Sequence, residues 1–165
     1  MEAPEIHTLN QIGWQFFGSL TFTKEKMPER VRLSMFFALV RKAARDFKVP
    51  FKKLLWCLRQ ERGESTGRRH FHFLLAGLPA EAVSLRTCFS LKNAWEQLRG
   101  GMARVTVFDP ALNGGSYLLK PDQPPAVDAG DAYESNKFGG GFCDLMIAQS
   151  VWRLATARRL LQLTR

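Results

Sequence analysis

Two extended segments, separated only by a short polar turn, constrain this chain more than any other feature. Residues Lys53 to Arg62 (KLLWCLRQER) and Arg69 to Ala76 (RHFHFLLA) are rich in apolar and aromatic side chains, and Gly63 to Gly67 turn the chain between them. Strands joined so tightly pair antiparallel, because a parallel pair needs a crossover of about a dozen residues or more. The hairpin therefore predicts a sheet that is at least partly antiparallel.

The flanking segments extend this pattern. Trp14 to Thr23 (WQFFGSLTFT) reads as a first strand, rich in aromatic and β-branched residues. Pro28 stands where a helix can begin, and Val31, Leu33, Phe36, Phe37, Leu39, Val40 and Ala44 follow at the helical period to about Phe47. Arg30, Arg41, Lys42 and Arg45 fall on its solvent side, and Pro50 ends it. After the hairpin, Leu91 to Arg99 reads as a short helix carrying Trp95 and closed by Gly100-Gly101. Met102 to Asp109 (MARVTVFD) alternates as a fourth strand, and Asp109-Pro110 leads into a helix across Ala111 to Lys120. Pro121 to Gly141 is rich in Pro, Asp and Gly and reads as a loop. Phe142 to Leu163 reads as a last amphipathic helix, with basic residues such as Arg153, Arg158 and Arg159 towards its end. Strict βα alternation is missing, so the expected fold is α+β: an antiparallel sheet backed by helices.

A length of 165 residues with 45% apolar content suits one globular domain with a real core. The motif-bearing core is expected over about 14–120, followed by the loop and the last helix. No apolar run reaches the roughly 18 to 20 residues that span a bilayer. The first residues lack the basic-then-apolar pattern of a secretory signal. Cys57, Cys88 and Cys143 are few, scattered and odd in number, so they read as reduced thiols of a cytoplasmic protein. Lys and Arg outnumber Asp and Glu by 24 to 15, giving a formal charge of +9. A polyanion suits such a surface, and nucleic acid is the commonest one.

The most informative short stretch is His70-Phe71-His72 in the second strand of the hairpin. Residues i and i+2 of a strand project from one face, with Cα atoms about 7 Å apart. Two imidazoles so placed can share an ion while Phe71 packs on the opposite face. A third ligand is expected from the neighbouring strand. Glu61 lies just across the hairpin from His70, Glu64 is nearer the tip, and Gln60 points away from Glu61 in an ideal strand; Glu61 is favoured. Two imidazoles with a carboxylate suit Mn²⁺ and other divalent ions.

A second constellation follows the fourth strand, in Gly114-Gly115-Ser116-Tyr117-Leu118-Leu119-Lys120. On a helix Tyr117 and Lys120 share a face. A phenol with a reference pKa of about 10 needs a nearby cation to become a nucleophile at neutral pH, and Lys120 can supply that charge or hold a phosphate. The one other tyrosine, Tyr133, falls in the Pro/Gly-rich segment.

Together these motifs resemble the HUH endonuclease superfamily, and within it the rolling-circle replication initiators, or Rep proteins. GSLTFT (Gly18 to Thr23) is similar to the family's first motif, GRRHFHFLL (Gly67 to Leu75) to its second, and YLLK (Tyr117 to Lys120) to its third. The likeness spans Trp14 to Lys120 and has the motifs in the family's order. It implies a sheet of about five strands, His70 and His72 as metal ligands, Tyr117 as nucleophile and Lys120 as its helper. The family's acidic ligand stands roughly eight to ten residues before the first histidine, and Glu61 stands nine before His70. Mg²⁺ or Mn²⁺ is the implied cofactor. Single-stranded DNA or an origin hairpin is the implied partner, with a host helicase and polymerase, since no P-loop follows the motifs. Arg59, Arg62, Arg68, Arg69 and Arg104 are candidates for phosphate contacts, and a monomer is favoured. Three other readings stay open: a single-tyrosine transposase with the same chemistry, an oxygenase β-barrel using HxH, a carboxylate and His7, and a non-catalytic module that binds single-stranded DNA.

Overall fold

The computed structural model describes residues 11–24, 26–62, 68–112 and 145–151, together with 153, 154 and 157. Five strands form one sheet: β1 (Phe16–Phe22), β2 (Leu55–Arg62), β3 (Arg69–Ala76), β4 (Gly100–Val107) and β5 (Leu145–Ile147). Their order across the sheet is β4-β1-β3-β2-β5, and every neighbouring pair is antiparallel. Helices α1 (Glu29–Asp46) and α2 (Leu85–Gln97) complete the α+β fold expected from the sequence. The described residues form this single sheet with its helices, and no second sheet closes it into the barrel that the oxygenase reading needs.

Alternation explains the layering. Along β1 every second residue from Phe16 is buried, as a half-buried strand requires. Phe16, Leu20, Phe71, Phe73 and Leu58 are at most 1% exposed and form a floor of side chains. The buried stripe of α1, including Phe36, Leu39 and Val40, lies in the same core. The Phe36 ring sits among those of Trp56, Phe71 and Phe73 at centroid distances of 5.6, 6.3 and 5.7 Å, tilted or edge-on to each. Each such buried aromatic contributes about 1.5–3 kcal/mol through the area it removes from water.

One glycine is fixed by this packing. Gly18 pairs with Phe73 across β1 and β3, and a Cβ at Gly18 would lie 2.1 Å from the Phe73 ring. The ring crosses the strand where a side chain would stand.

Several elements differ from the sequence expectations. Helix α2 begins at Leu85, six residues before the expected Leu91, with Ser84 as N-cap accepting a hydrogen bond from the Thr87 amide. Gly100-Gly101 does not close it. Arg99 takes the left-handed conformation there, with φ 59°, and Gly100 already opens β4. Gly100 is needed for a different reason: a Cβ would lie 2.2 Å from the indole of the fully buried Trp95, whose Nε1 donates to the Thr21 carbonyl at 2.9 Å. Within the helix expected from Phe142, residues Leu145–Ile147 form β5, which pairs with β2 through Cys57, Leu58 and Arg59, and helical backbone is found from Gln149; 142–144 lie outside the described residues. The helix expected across Ala111 to Lys120 starts as a 3₁₀ turn at Pro110–Leu112, and 113–120 lie outside the described residues. Cys57 and Cys88 are buried free thiols, and burial pushes both thiols up from their ordinary pKa. No described helix is long and apolar enough to cross a membrane.

Candidate metal centre

The strand parity that sends Phe71 and Phe73 into the core turns His70 and His72 to the opposite face of β3. The β2–β3 register then sets the third member, because Glu61 pairs with His70 and Arg59 with His72. Glu61, His70 and His72 each offer a donor atom, and all three atoms lie within 4.8 Å of one another. The carboxylate Oε2 is 3.5 Å from His70 Nε2 and 3.3 Å from His72 Nε2. Ligand atoms bonded at about 2.1 Å to an octahedral ion lie about 3 Å apart when adjacent, so small adjustments bring this set to bonding distance. The residues fit a divalent ion.

Gln60 is excluded by the same parity. It faces α1, where its Oε1 accepts from Arg32 Nε at 3.0 Å and Nη2 at 2.8 Å. Arg32 is 3% exposed, so this cation of α1 is a buried anchor of β2. Glu64 lies outside the described residues, as do His7 and Tyr133.

Two further residues support the cluster. Arg59 is buried, and its Nε is 3.0 Å from Glu61 Oε1, leaving the carboxylate's other oxygen facing the histidines. Burial acts to raise the Glu61 carboxyl, but hydrogen bonds from His70 and His72 with the charges of His72 and Arg59 outweigh it and hold the group well below the usual carboxylate range. Its hydrogen bond to Glu61 pushes the His70 imidazole up against the opposing effect of burial. Glu61 therefore stands ionised at neutral pH, as a metal ligand must.

On the neighbouring strand, Ser19 pairs with His72, and its Oγ is 2.8 Å from His72 Nδ1. When Nε2 serves as ligand, Nδ1 carries the ring proton and donates it to Ser19, which fixes both tautomer and ring orientation. The Phe17 ring stacks near the imidazole at a centroid distance of 6.0 Å. Ser19 was not singled out from the sequence. Its signal was the parity of β1, which becomes usable only once the β1–β3 register is known.

The chain matches no protein-family model and no curated protein. The cluster therefore stands on its own geometry.

Of the arginines expected near DNA, Arg68 and Arg104 are exposed and Arg69 is half-buried. Arg104 pairs with Ser19 across β1 and β4, so Arg104, Ser19, His72 and Arg59 form one row across four strands. At the usual spacing of about 4.8 Å between strands, Arg104 stands about 10 Å from His72 along that row. The Arg62 backbone pairs with Arg69 at the end of the hairpin. Tyr117 and Lys120 lie outside the described residues.

Replacing Ser19 by Ala leaves the three ligands in place but frees the His72 ring. Loss of such a supporting partner typically costs 10- to 100-fold in metal affinity. Calorimetric titration with Mn²⁺ should show about a tenfold loss for Ser19→Ala and recovery with Ser19→Thr. Equal affinity in wild type and Ser19→Ala would show that the hydroxyl does not orient the ligand.

Proposed function

We propose that this chain is a divalent-metal-dependent HUH endonuclease that nicks and rejoins single-stranded DNA at a replication origin, initiating rolling-circle replication of a plasmid, phage or related element. The observation that supports this most is the convergence of Glu61, His70 and His72 on one sheet face, with donor atoms within 4.8 Å. The net charge of +9 suits a nucleic-acid substrate. Similarity of the GSLTFT, GRRHFHFLL and YLLK segments to the family's motifs supplies the reaction type.

In this reading Glu61, His70 and His72 would hold Mg²⁺ or Mn²⁺. The ion, when bound, supplies Lewis-acid polarisation of the scissile phosphate. Ser19 and Arg59 keep His72 and Glu61 oriented. Arg68, Arg69 and Arg104 offer cations to the phosphates of the strand. Tyr117 attacks phosphorus through its phenolic oxygen, giving up its proton as the P–O3′ bond breaks. The departing 3′-oxygen takes up a proton to leave a 3′-hydroxyl, and the 5′-phosphate stays on Tyr117. Lys120 lowers the cost of the phenolate or steadies the phosphate. The reverse step joins the held end to a 3′-hydroxyl, so no nucleotide cofactor is consumed. The roles of Tyr117 and Lys120 rest on the YLLK resemblance.

The test is to incubate purified protein with a labelled pool of single-stranded DNA and Mn²⁺, then resolve the products on a denaturing gel. A protein–DNA adduct that survives SDS, and is lost with EDTA and with Tyr117→Phe, is expected. An adduct that persists in Tyr117→Phe would move the nucleophile to another residue, Tyr133 first. Absence of any adduct from a protein that binds both Mn²⁺ and single strands would reduce the function to binding.

A further inference from the structure

A cavity of about 440 Å³ opens beside the start of β2, at the opposite end of that strand from Glu61 and on the face that carries α1. Its volume falls within the roughly 300–1,000 Å³ of small-molecule sites. Three aromatic rings line it: Phe37 from α1, Phe51 from the 3₁₀ turn before β2, and Trp56 from β2. Phe37 lies edge-on to Phe51 at 6.5 Å and to Trp56 at 5.4 Å, so the three rings form a connected wall. Arg41, Lys52 and Arg153 also line it, and no lining residue is acidic.

The basic side chains suit a specific kind of anion. The Arg41 guanidinium lies over the rings of Phe51 and Phe37, 5.2 and 5.9 Å from their centroids. A guanidinium beside aromatic rings still has N–H groups to offer a phosphate. Lys52 and Arg153 are exposed and add positive charge without a matching carboxylate in the wall. The floor is fixed, because the Ser150 hydroxyl donates to the Leu54 carbonyl and the Ala148 amide to the Trp56 carbonyl. A fatty acid would set a single carboxylate against three cations and offer no flat ring to the aromatic wall, and inorganic phosphate would leave that wall empty. A flat heterocycle joined to a phosphate uses both, since base–aromatic stacking is worth about 1–3 kcal/mol per base.

We propose that this cavity is a nucleotide-binding site separate from the metal centre. The base packs against Phe37, Phe51 and Trp56, and the phosphate meets Arg41, Lys52 and Arg153. One chemistry can reach it from two sources: a nucleotide within a DNA strand, or a free nucleotide.

The test uses the whole protein in EDTA, which keeps the metal centre out of the measurement. Binding of deoxyadenosine 5′-monophosphate, deoxyadenosine, inorganic phosphate and an adenine octanucleotide is followed by amide and indole NMR shifts. Expected are shifts of the Trp56 indole with the monophosphate, and at least tenfold weaker binding in Lys52→Ala/Arg153→Ala and in Phe51→Ala. His70→Ala/His72→Ala should bind the monophosphate as wild type does, which separates this site from the nicking reading. If the octanucleotide shifts the same signals with higher affinity, the source is a strand; if the monophosphate binds as tightly, it is a free nucleotide. Phosphate alone binding as well as the nucleotide, or shifts that miss Trp56 and ignore both variants, would overturn the proposal.

Discussion

Replacing His72 with Ala should lower Mn²⁺ affinity by more than the ~10- to 100-fold typical for loss of a supporting partner, and remove DNA adduct formation with it. His72 supplies a nitrogen facing Glu61 Oε2 at 3.3 Å, and it is also the residue through which Ser19 acts. Truncation thus removes a ligand and leaves Glu61 with one imidazole, at 3.5 Å. The fold should survive, because the His72 side chain faces away from the Phe36–Phe71–Phe73 core and the strand keeps its backbone pairing with β1 and β2. Calorimetric Mn²⁺ titration beside a far-UV CD melt separates the two effects. A melt as cooperative as that of wild type, with metal binding abolished, is the expected pair of results. Retained affinity would remove the cluster from the metal-centre reading altogether.

The largest effect on stability should come from Gly18. A methyl group there meets the Phe73 ring at 2.1 Å, far inside contact distance, and that ring is 1% exposed and wedged against Phe36. The ring cannot swing away without disturbing the aromatic floor. Gly18→Ala should destabilise by about 1–3 kcal/mol, as overpacking of a dense core does, and Gly18→Val by more. The contact can be isolated by a double-mutant cycle in urea with Phe73→Leu. The smaller side chain should make Gly18→Ala less costly than it is in the wild-type background. Additive effects would mean that the clash with Phe73 is not the cause.

Those residues also show how much of the molecule is legible in its sequence. Strand β3 is readable through Phe73, because RHFHF alternates in type; its apolar end, FLLA, does not, and every residue from Phe71 to Ala76 is buried. The Glu61–His70–His72 set follows from parity plus one hairpin register, both local properties. Ser19 is not readable in this way, since its contact with His72 spans 53 residues and depends on how β1 docks. The start of α2 was obscured because Leu85 and Phe89 are 71% and 61% exposed, so apolar residues there do not mark a buried face. Its start signal was the cap, Ser84, rather than the periodicity. Strand β5 has three residues, too few to show a period, and it exists through its pairing with β2. Arg32 was masked by its charge: buried, it bonds to a partner 28 residues away.

The pairing of Glu61 with His70 has a consequence for how the chain assembles. Side chains of a strand change face at every residue, so a hairpin that closes one position out of register would turn either Glu61 or the two histidines towards the helices. It would also expose Phe71 and Phe73 or their neighbours on β2. Core and cluster are thus tied to one choice of alignment, and a misaligned chain loses both together. Any ion that binds here acts as a proofreader of strand alignment, since only the correctly zipped hairpin presents all three donors to it.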